Sequence, residues 1–282
     1  MDNNKERHRS TSQRIEQAIT AMLEEYSDND WMLNDHWPII EPHVRLMVAD
    51  VMNRFPPASH ARLLDVGCFN GYLSLLFKQL GYDVVGTDAC ELEDRQAVFA
   101  KAGIEFMYAN LNELEPFAQP TIKPFDIIII AQVIEHILNH PLGLLRSLMQ
   151  IMRPGGIMIL TTPNPVTVMG ALRVLTGRSS LWGTNDFILE PKINAGRIIT
   201  KADIHYREYT DAELRYMING AGLQVEHHRY LSLGESKTQP PLKKFIKKNP
   251  LTQKLMTKRL FGSNHYVLAR KPELKSPPVI LS

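Results

Sequence analysis

Cysteine and long apolar runs are both scarce in this chain. Its 282 residues include two cysteines, Cys68 and Cys90, whose positions give neither a disulfide framework nor a metal-ligand spacing. A reducing cytoplasm is therefore the expected location. The longest purely apolar run lies near Ile127–Ala131 and is far too short to span a bilayer, while residues 1–14 are polar. The sequence predicts neither secretion nor a membrane span.

Acidic residues are scarce toward the carboxyl-terminal end. From Lys237 onward the chain has eleven Lys or Arg and one acid, Glu273, although the whole chain has a net charge of only +2. Seven of these cations fall within residues 243–260, interleaved with apolar residues and with no acid. We expect this segment to make peripheral contact with anionic lipid at the inner face of the membrane. A solvated helix and a phosphate-contacting patch for nucleic acid are the alternatives, and nucleic acid is the less favoured partner.

What the sequence does have is a regular alternation of short β-rich runs with helical patterns. This alternation predicts an α/β fold with a mostly parallel sheet flanked by helices. The apolar run at 127–131, within the predicted strand 125–131, fits a central strand that is buried on both faces. The predicted strands are Arg62–Val66, Tyr82–Thr87, Ile104–Tyr108, Phe125–Ala131, Ile157–Thr162, Leu223–Tyr230 and His265–Arg270. The predicted helices are 12–26, 38–55, 71–80, 92–102, 141–152, 168–175 and 210–221.

A glycine turn follows the first predicted strand. Residues 63–72 read LLDVGCFNGY, an apolar strand that ends in Asp65 and then Gly67 and Gly71 before a helix. The start of a helix exposes free backbone N–H groups and a positive dipole, which suit a phosphate. An acid just ahead of the turn would repel a pyrophosphate but would suit a cationic ligand. S-adenosylmethionine (SAM) has an ammonium and a sulfonium, so the turn predicts a SAM site rather than a dinucleotide site.

Five ordered motifs resemble those of class I SAM-dependent methyltransferases, in particular the small-molecule branch that includes the enzymes of ubiquinone biosynthesis. The resemblance covers about residues 61–164 and 205–231, with a closing strand at 265–270. It implies a Rossmann-like fold with helices on both faces of a seven-stranded mixed sheet, the last strand being antiparallel. The motifs are LDVGCFNG at 64–71, VGTD at 85–88, FDI through VIEHI at 125–137, MRPGG through TTPN at 152–164, and HYREYT at 205–210.

The same pattern predicts how the chain is divided. A long excursion at the carboxyl end of a central strand is usually functional, because open α/β sheets bind ligands there. We therefore expect a substrate lid in the insertion that interrupts the alternation. The predicted parts are an N-terminal helical cap at 1–60, a SAM-binding core at 61–162, the lid insertion at 163–204, the rest of the core at 205–271 with a basic insertion at 236–262, and a disordered tail at 272–282.

The resemblance implies a set of cofactor-binding residues. Asp65, Gly67, Cys68 and Gly71 belong to the first turn, and Asp88 is placed to accept hydrogen bonds from both ribose hydroxyls. The alternative for Asp88 is a helix cap. Asn110 and Leu111 occupy the positions that bracket the adenine, although Asn110 could equally be a plain loop residue. Gln132 would lie near the methionine part of the cofactor. One departure stands out, because Phe69 occupies a position where the family usually has glycine.

Two histidines are the expected catalytic residues. The reaction requires the acceptor to be aligned in line with the activated methyl group and its proton to be removed, and histidine has the pKa nearest to the working pH. His136 follows the fourth predicted strand, and His205 follows the lid insertion. The alternative for His136 is a structural hydrogen bond. The alternative for His205 is that it precedes a helix and pairs with Glu208.

A metal is a further alternative for the histidines. Small-RNA 3′-terminal 2′-O-methyltransferases hold a metal with a Glu-x-x-Glu-His segment and a later histidine, whereas this chain has Gln132 at the first ligand position. The loss of one anionic oxygen weakens a site for a hard cation. We therefore expect no metal.

The sequence thus predicts a SAM-dependent methyltransferase, most favourably one that methylates oxygen on a small-molecule, glycan or lipid-linked acceptor with histidine assistance. A metal-assisted RNA 2′-O-methyltransferase and a non-catalytic SAM-binding protein are the alternatives. A nicotinamide dehydrogenase is disfavoured, because the turn does not supply G-x-G-x-x-G and contains Asp65. The sequence leaves the acceptor and the oligomeric state open.

Overall fold

A computed structural model describes most of the chain. The described residues are 2–89, 92–117, 121–179, 192–194, 197–199, 205–232 and 257–273, with side chains described from residue 11 onward and not in 192–199. Three predicted features therefore lie wholly or mostly outside the described residues: Cys90, most of the lid insertion beyond residue 179, and residues 236–256 of the basic insertion. The same is true of residues 274–282 of the predicted tail.

Seven α-helices lie within the described part of the chain. They are α1 Asp2–Glu25, α2 Trp37–Arg54, α3 Tyr72–Gln79, α4 Glu93–Ala102, α5 Pro141–Gln150, α6 Val168–Leu175 and α7 Asp211–Gly220. A π-helical turn, Met32–His36, runs directly into α2, and short 3₁₀ turns occur at Pro57–Ser59 and Ile134–His136. Among the helices described, none combines the length and the apolar character needed to cross a bilayer.

Seven strands form one mixed sheet in the order β3-β2-β1-β4-β5-β9-β8. Neighbouring strands are parallel except at β9, which runs antiparallel to β5 and β8. The predicted α/β sheet with an antiparallel last strand is therefore confirmed. The strands are β1 Arg62–Val66, β2 Asp83–Asp88, β3 Glu105–Tyr108, β4 Phe125–Ala131, β5 Met152–Pro163, β8 Gln224–Leu231 and β9 Asn264–Arg270, and a separate pair is formed by β6 Lys192–Asn194 and β7 Arg197–Ile199.

The central strand β4 supplies two hydrophobic cores at once. Successive side chains of a strand point to opposite faces, so Ile127 and Ile129 join the core under α1 to α4, while Ile128 and Ile130 join the core under α5 and α7. All four isoleucines are fully buried. The continuous apolar run thus reflects a strand that is covered on both faces, as predicted.

Two elements differ from their predicted bounds by more than two residues. Strand β5 begins at Met152 instead of Ile157, because Met152 pairs with Phe125 before a register shift leads to the Ile157–Ile127 pair. The intervening Arg153–Gly156 stretch, which the predicted bounds left between a helix and a strand, therefore lies within an irregular strand. Helix α1 begins at Asp2 instead of residue 12. No Pro or Gly interrupts residues 2–25, so the polar beginning extends the helix.

Gly86 in β2 provides a test of the packing below the turn. A Cβ atom at this position would lie 2.6 Å from Cε2 of the buried Phe99 and 3.1 Å from Sγ of Cys68. We expect Gly86→Ala to lower the free energy of unfolding by about 1 to 3 kcal/mol through overpacking, as measured by urea denaturation.

Gly220→Ala is the matched control for Gly86→Ala. Its Cβ would make an ordinary contact, 3.5 Å from Cδ1 of Leu142, so we expect a change within about 0.5 kcal/mol. Equal stability of both variants and the wild type would show that the packing around Phe99 can accommodate an additional methyl group.

Candidate active site

The carboxyl ends of β1 and β4 meet where the strand order reverses. Strand β1 is paired with β2 on one side and with β4 on the other, and all three run parallel. The connections from these two ends therefore diverge to opposite faces of the sheet and leave a crevice between them. In open α/β sheets ligands bind in such a crevice.

The glycine turn forms one wall of this crevice and is fixed to the neighbouring strand. The backbone N–H groups of Gly67 and Cys68 donate to the carbonyl oxygen of Thr87 in β2, at 2.8 and 3.0 Å. Both outer glycines have positive φ angles, +68° at Gly67 and +86° at Gly71. A side chain at Gly67 would also collide with Val133, since the Cβ would lie 2.6 Å from its Cγ2. These positions therefore require glycine for both conformation and space.

Phe69 has a left-handed backbone conformation, which usually favours glycine. Its φ angle is +45°, in the left-handed region, and its backbone N–H donates to Oδ2 of Asp88 at 2.9 Å. The side chain is 48% exposed. The departure from the family pattern therefore leaves the backbone of the turn in its left-handed form and places an aromatic ring at the rim of the crevice.

Asp65 lies under the turn and is almost completely buried, with 2% of its surface exposed. Its Oδ2 accepts a hydrogen bond from the hydroxyl of Ser74 at 2.6 Å. Burial raises the pKa of Asp65 to about 6, against the opposing effect of the hydrogen bonds from Ser74. A nearby cation would favour the ionised carboxylate. The buried Oδ1 of Asn70, in the turn, is an acceptor that lacks a hydrogen-bond partner in the described structure. Both groups fit the ammonium of SAM.

Asp88 ends β2 at the rim of the turn. Besides the N–H of Phe69, its carboxylate faces the buried Arg95, with Nη1 3.8 Å from Oδ2. Arg95 also donates to the carbonyl of Phe69 at 2.7 Å and lies over the ring of Phe106. Asp88 is not the cap of α4, since Leu92 has that position. Arg95 was not predicted, because a single Arg on a polar helix has no distinguishing sequence signal.

The remaining predicted cofactor residues differ in the hydrogen bonds that they already make within the protein. Oδ1 of Asn110 accepts from the N–H of Asn112 at 3.1 Å, a local turn, and Leu111 is buried beside it. Gln132 follows β4 with a φ of +57°, and its amide donates to Oγ1 of Thr161 at 3.2 Å. The side-chain oxygen of Asn110 is thus bound within its own loop.

The two predicted catalytic histidines lie next to each other. The backbone N–H groups of Tyr206 and Arg207 donate to the carbonyl of Glu135, at 2.9 and 3.3 Å, and bring the segment before α7 onto the turn after β4. The rings of His136 and His205 are consequently 5.1 Å apart at an angle of 73°. His205 Nδ1 is 2.9 Å from Oε1 of Glu208.

A buried acid completes this cluster. Glu135 is fully buried, and its Oε2 accepts from the hydroxyl of Thr162 at 2.8 Å. Its Oε1 lacks a hydrogen-bond partner within the part of the chain described. Burial raises the pKa of Glu135 to about 7. One ligand atom from each of Glu135, His136 and His205 lies within 4.8 Å of the others. Such a cluster can accept a proton or hold a cation, and Glu135 was not among the predicted catalytic residues.

The buried Asp65 leads to a pH-dependent prediction. In unfolded chains the pKa of aspartate is about 3.9, whereas burial raises the pKa of Asp65 to about 6. The folded protein therefore binds more protons between these values, and ionised Asp65 costs stability above pH 6. We expect Asp65→Asn to raise the free energy of unfolding of the ligand-free protein at pH 8 by up to about 3 kcal/mol. The difference should shrink as the pH falls from 6 to 4.

Urea denaturation across this pH range measures the effect. Asp28→Asn, at an exposed position, should leave the pH profile of stability unchanged. An Asp65→Asn variant that is less stable than the wild type at pH 8 would contradict the prediction.

Comparison with known proteins agrees with this architecture. A family model described as a methyltransferase domain matches residues 41–228. Over 179 residues the chain is 30% identical to a ubiquinone biosynthesis O-methyltransferase of Xanthomonas axonopodis pv. citri, covering 62% of this chain and 67% of the relative. A ubiquinone biosynthesis O-methyltransferase of Caulobacter sp. is 34% identical over 110 residues, 38% of this chain and 43% of the relative. The second match thus spans less than half of that relative.

A solved structure supports the fold. The 1,6-didemethyltoxoflavin-N1-methyltransferase of Burkholderia thailandensis, with bound 1,6-didemethyltoxoflavin and S-adenosylhomocysteine, superposes with a TM-score of 0.51 at 16% identity, covering 90% of this chain and 87% of that one. The sheet order, the glycine turn and the family match agree with one another. The chain belongs to the methyltransferase-domain family and is a class I SAM-dependent methyltransferase of the branch similar to the ubiquinone biosynthesis enzymes.

Proposed function

We propose that this enzyme transfers the methyl group of SAM to a hydroxyl oxygen of a small-molecule, glycan or lipid-linked acceptor. The observation that carries the proposal is the cluster of Glu135, His136 and His205, which lies at the turn after β4, at the sheet edge where β1 leads into the glycine turn. SAM supplies a methyl group activated by its sulfonium, so the protein must align the acceptor and remove its proton. The relatives named as O-methyltransferases support oxygen as the acceptor atom.

His205 is the proposed general base. Its Nδ1 faces the carboxylate of Glu208 at 2.9 Å, and an ionised carboxylate only accepts hydrogen bonds. Nδ1 therefore holds the proton of the neutral ring, and Nε2 presents its lone pair. His136, which packs against His205 at an angle of 73°, would help to hold the base and the acceptor in place.

The cofactor is proposed to bind along the turn and the ends of β2 and β4. Asp65 would face the ammonium of the methionine part, and Asp88 would accept from the ribose hydroxyls in addition to the N–H of Phe69. The close backbone approach at the turn is provided by Gly67, Cys68 and Gly71. Leu111 and Asn110 would border the adenine, and Gln132 would border the methionine part.

A metal-assisted reaction is the second candidate. The ligand atoms of Glu135, His136 and His205 are close enough to hold one divalent cation. Gln132, at the first ligand position of the small-RNA enzymes, directs its amide N–H toward Thr161. Three ligands with one carboxylate make a weaker site for a hard cation than four ligands with two. The metal-free reaction is therefore preferred.

Variants of His205 test the proposed base. We expect His205→Ala to lower kcat by about 10² to 10⁴ because the acceptor proton then has no positioned base. SAM affinity should stay within about twofold of the wild type, because the proposal places His205 at the acceptor. The assay follows release of S-adenosylhomocysteine with lipid and small-molecule fractions as acceptor libraries, and calorimetry measures SAM binding. His140→Asn is the control, since Asn retains the helix cap that His140 provides for α5.

A chelator separates the two candidates. Activity that survives a chelator supports the histidine base, whereas activity that is lost and then restored by a divalent ion supports the metal. Binding of SAM without turnover on any acceptor would instead indicate a SAM-binding protein.

An exposed apolar surface beside the site supports a lipid-linked acceptor. Helix α6 has no buried residue, and Met169, Leu172 and Leu175 are all exposed on it. The segment 257–263 lies against α6, because the N–H of Val168 donates to the carbonyl of Leu260 at 2.9 Å. Residues 164–179 and 257–263 include four Lys or Arg and no acid. An apolar face with cations at its edge suits an anionic membrane surface.

We therefore propose that a cytoplasmic enzyme docks on the inner face of the membrane through α6 and the basic segment 243–260. The protein should float with vesicles that contain phosphatidylglycerol at low salt, and the bound fraction should fall as salt screens the cations. The double variant Met169→Glu and Leu175→Glu should lose most of this binding. Leu114→Glu, at an equally exposed leucine elsewhere, is the control. Absence of wild-type protein from the floating fraction would refute the docking surface.

A further inference from the structure

One side of the cofactor crevice is aromatic, and no family motif accounts for it. Trp31 and Phe69 are 47% and 48% exposed. Their ring centroids are 6.3 Å apart and their planes are inclined at 81°. The two rings therefore form a corner with two nearly perpendicular walls. Phe69 belongs to the glycine turn and Trp31 to the N-terminal helical region, so the corner joins the cap to the core at the site.

Trp31 is held from behind by the π-helical turn. The ring of His36 stacks on Trp31 at 4.5 Å and 22°, and the same ring meets the edge of Tyr72 at 5.4 Å. Tyr72 is the first residue of α3, directly after the turn. Single π-helical turns are rare and occur often at functional sites. Here the turn brings His36 between Trp31 and the start of α3, which fixes the indole at the rim.

Phe69 is held by its backbone. The N–H donates to Asp88 and the carbonyl accepts from Arg95, at 2.9 and 2.7 Å. Both polar groups of the residue are thus bound to the core, while the ring stays outside it. A phenylalanine in the left-handed region is strained relative to glycine, and nothing in the packing of the core requires this half-exposed ring. Strain at a ligand-binding turn is consistent with a role in the site.

The two aromatic rings suit the sulfonium of SAM better than its other groups. Aromatic faces attract cations through their quadrupole, and groups of rings are used to recognise methylated ammonium ions. The sulfonium of SAM is a cation of the same kind, whereas the thioether of the product is neutral. Burial lowers the pKa of His36 to about 4, so the ring behind Trp31 is neutral at pH 7 and does not repel a cation.

We propose that Trp31 and Phe69 form an aromatic corner that recognises the sulfonium of SAM and so favours the methyl donor over S-adenosylhomocysteine. This inference rests on the cofactor placement proposed above. Selectivity of this kind helps turnover, because the product loses the interaction at the moment when the methyl group and the positive charge leave the sulfur atom.

Calorimetry with both ligands tests the corner without any need for an acceptor. We expect Trp31→Leu and Phe69→Leu each to weaken SAM binding about tenfold, and to change binding of S-adenosylhomocysteine by less than about twofold. Trp31→Phe keeps a ring and should retain most of the preference for SAM. Tyr216→Leu removes an aromatic ring that is more exposed and lies on α7, and it should change neither affinity.

The outcomes separate this inference from the proposed function. If the leucine variants lose affinity for both ligands equally, the rings contact a neutral part of the cofactor and the sulfonium role is wrong. If they lose none, the corner does not contact the cofactor, and the proposed reaction stands unaffected. A wild-type protein that binds neither ligand would overturn both. Circular dichroism and thermal melts of each variant confirm that a loss of affinity is not a loss of fold.

Discussion

The attachment of the glycine turn to β2 is the constraint on which the rest of the site depends. Two N–H groups, of Gly67 and Cys68, converge on the single carbonyl of Thr87, and this fixes the turn against the next strand. The side chain of the following strand residue, Asp88, then binds the N–H of Phe69. The end of β1, the end of β2 and the start of α3 consequently form one rigid unit. A cofactor that lies across the turn meets groups already held in place, so little binding energy is lost in ordering them.

A second backbone contact assembles the proposed catalytic cluster. Glu135 and His205 are separated by 70 positions along the chain, yet the carbonyl of Glu135 accepts from both Tyr206 and Arg207. This contact brings His205 beside His136 and positions Glu208 to orient it. The side chain of Glu135 is meanwhile held by Thr162 from the neighbouring strand β5. The proposed base His205 and its orienting acid Glu208 thus come from one segment and the buried carboxylate of Glu135 from another, and the same sheet holds both segments in place.

The sequence predicted those features that repeat or that have a conformational requirement. The isoleucines of β4 predicted a central strand because both faces need apolar cover, and Gly67 and Gly71 marked the turn because their φ angles are positive. Side chains that act through long-range contacts were not predictable. Arg95 and Trp31 show no local pattern that distinguishes them from surface residues, and their roles arise only from Phe106, His36 and Phe69 around them. The bulge in β5 was missed for a related reason, since Pro154 and Gly155 also fit a turn.

Two buried acids hold charges that the proposed ligands would stabilise. Burial raises the pKa of Asp65 to about 6 and that of Glu135 to about 7, so near neutral pH each carboxylate is less stable as an anion than it would be in water. The two acids differ in what would relieve this cost. Asp65 lies under the turn, where the ammonium of SAM would stabilise its ionised carboxylate. Glu135 lies beside His136 and His205, where the positive charge of the proposed base, once it has taken the acceptor's proton, would do the same. The ligand-free fold therefore holds unfavourable charge at both ends of the proposed reaction path, and the cofactor's charge at one end and a protonated histidine at the other would each remove part of it.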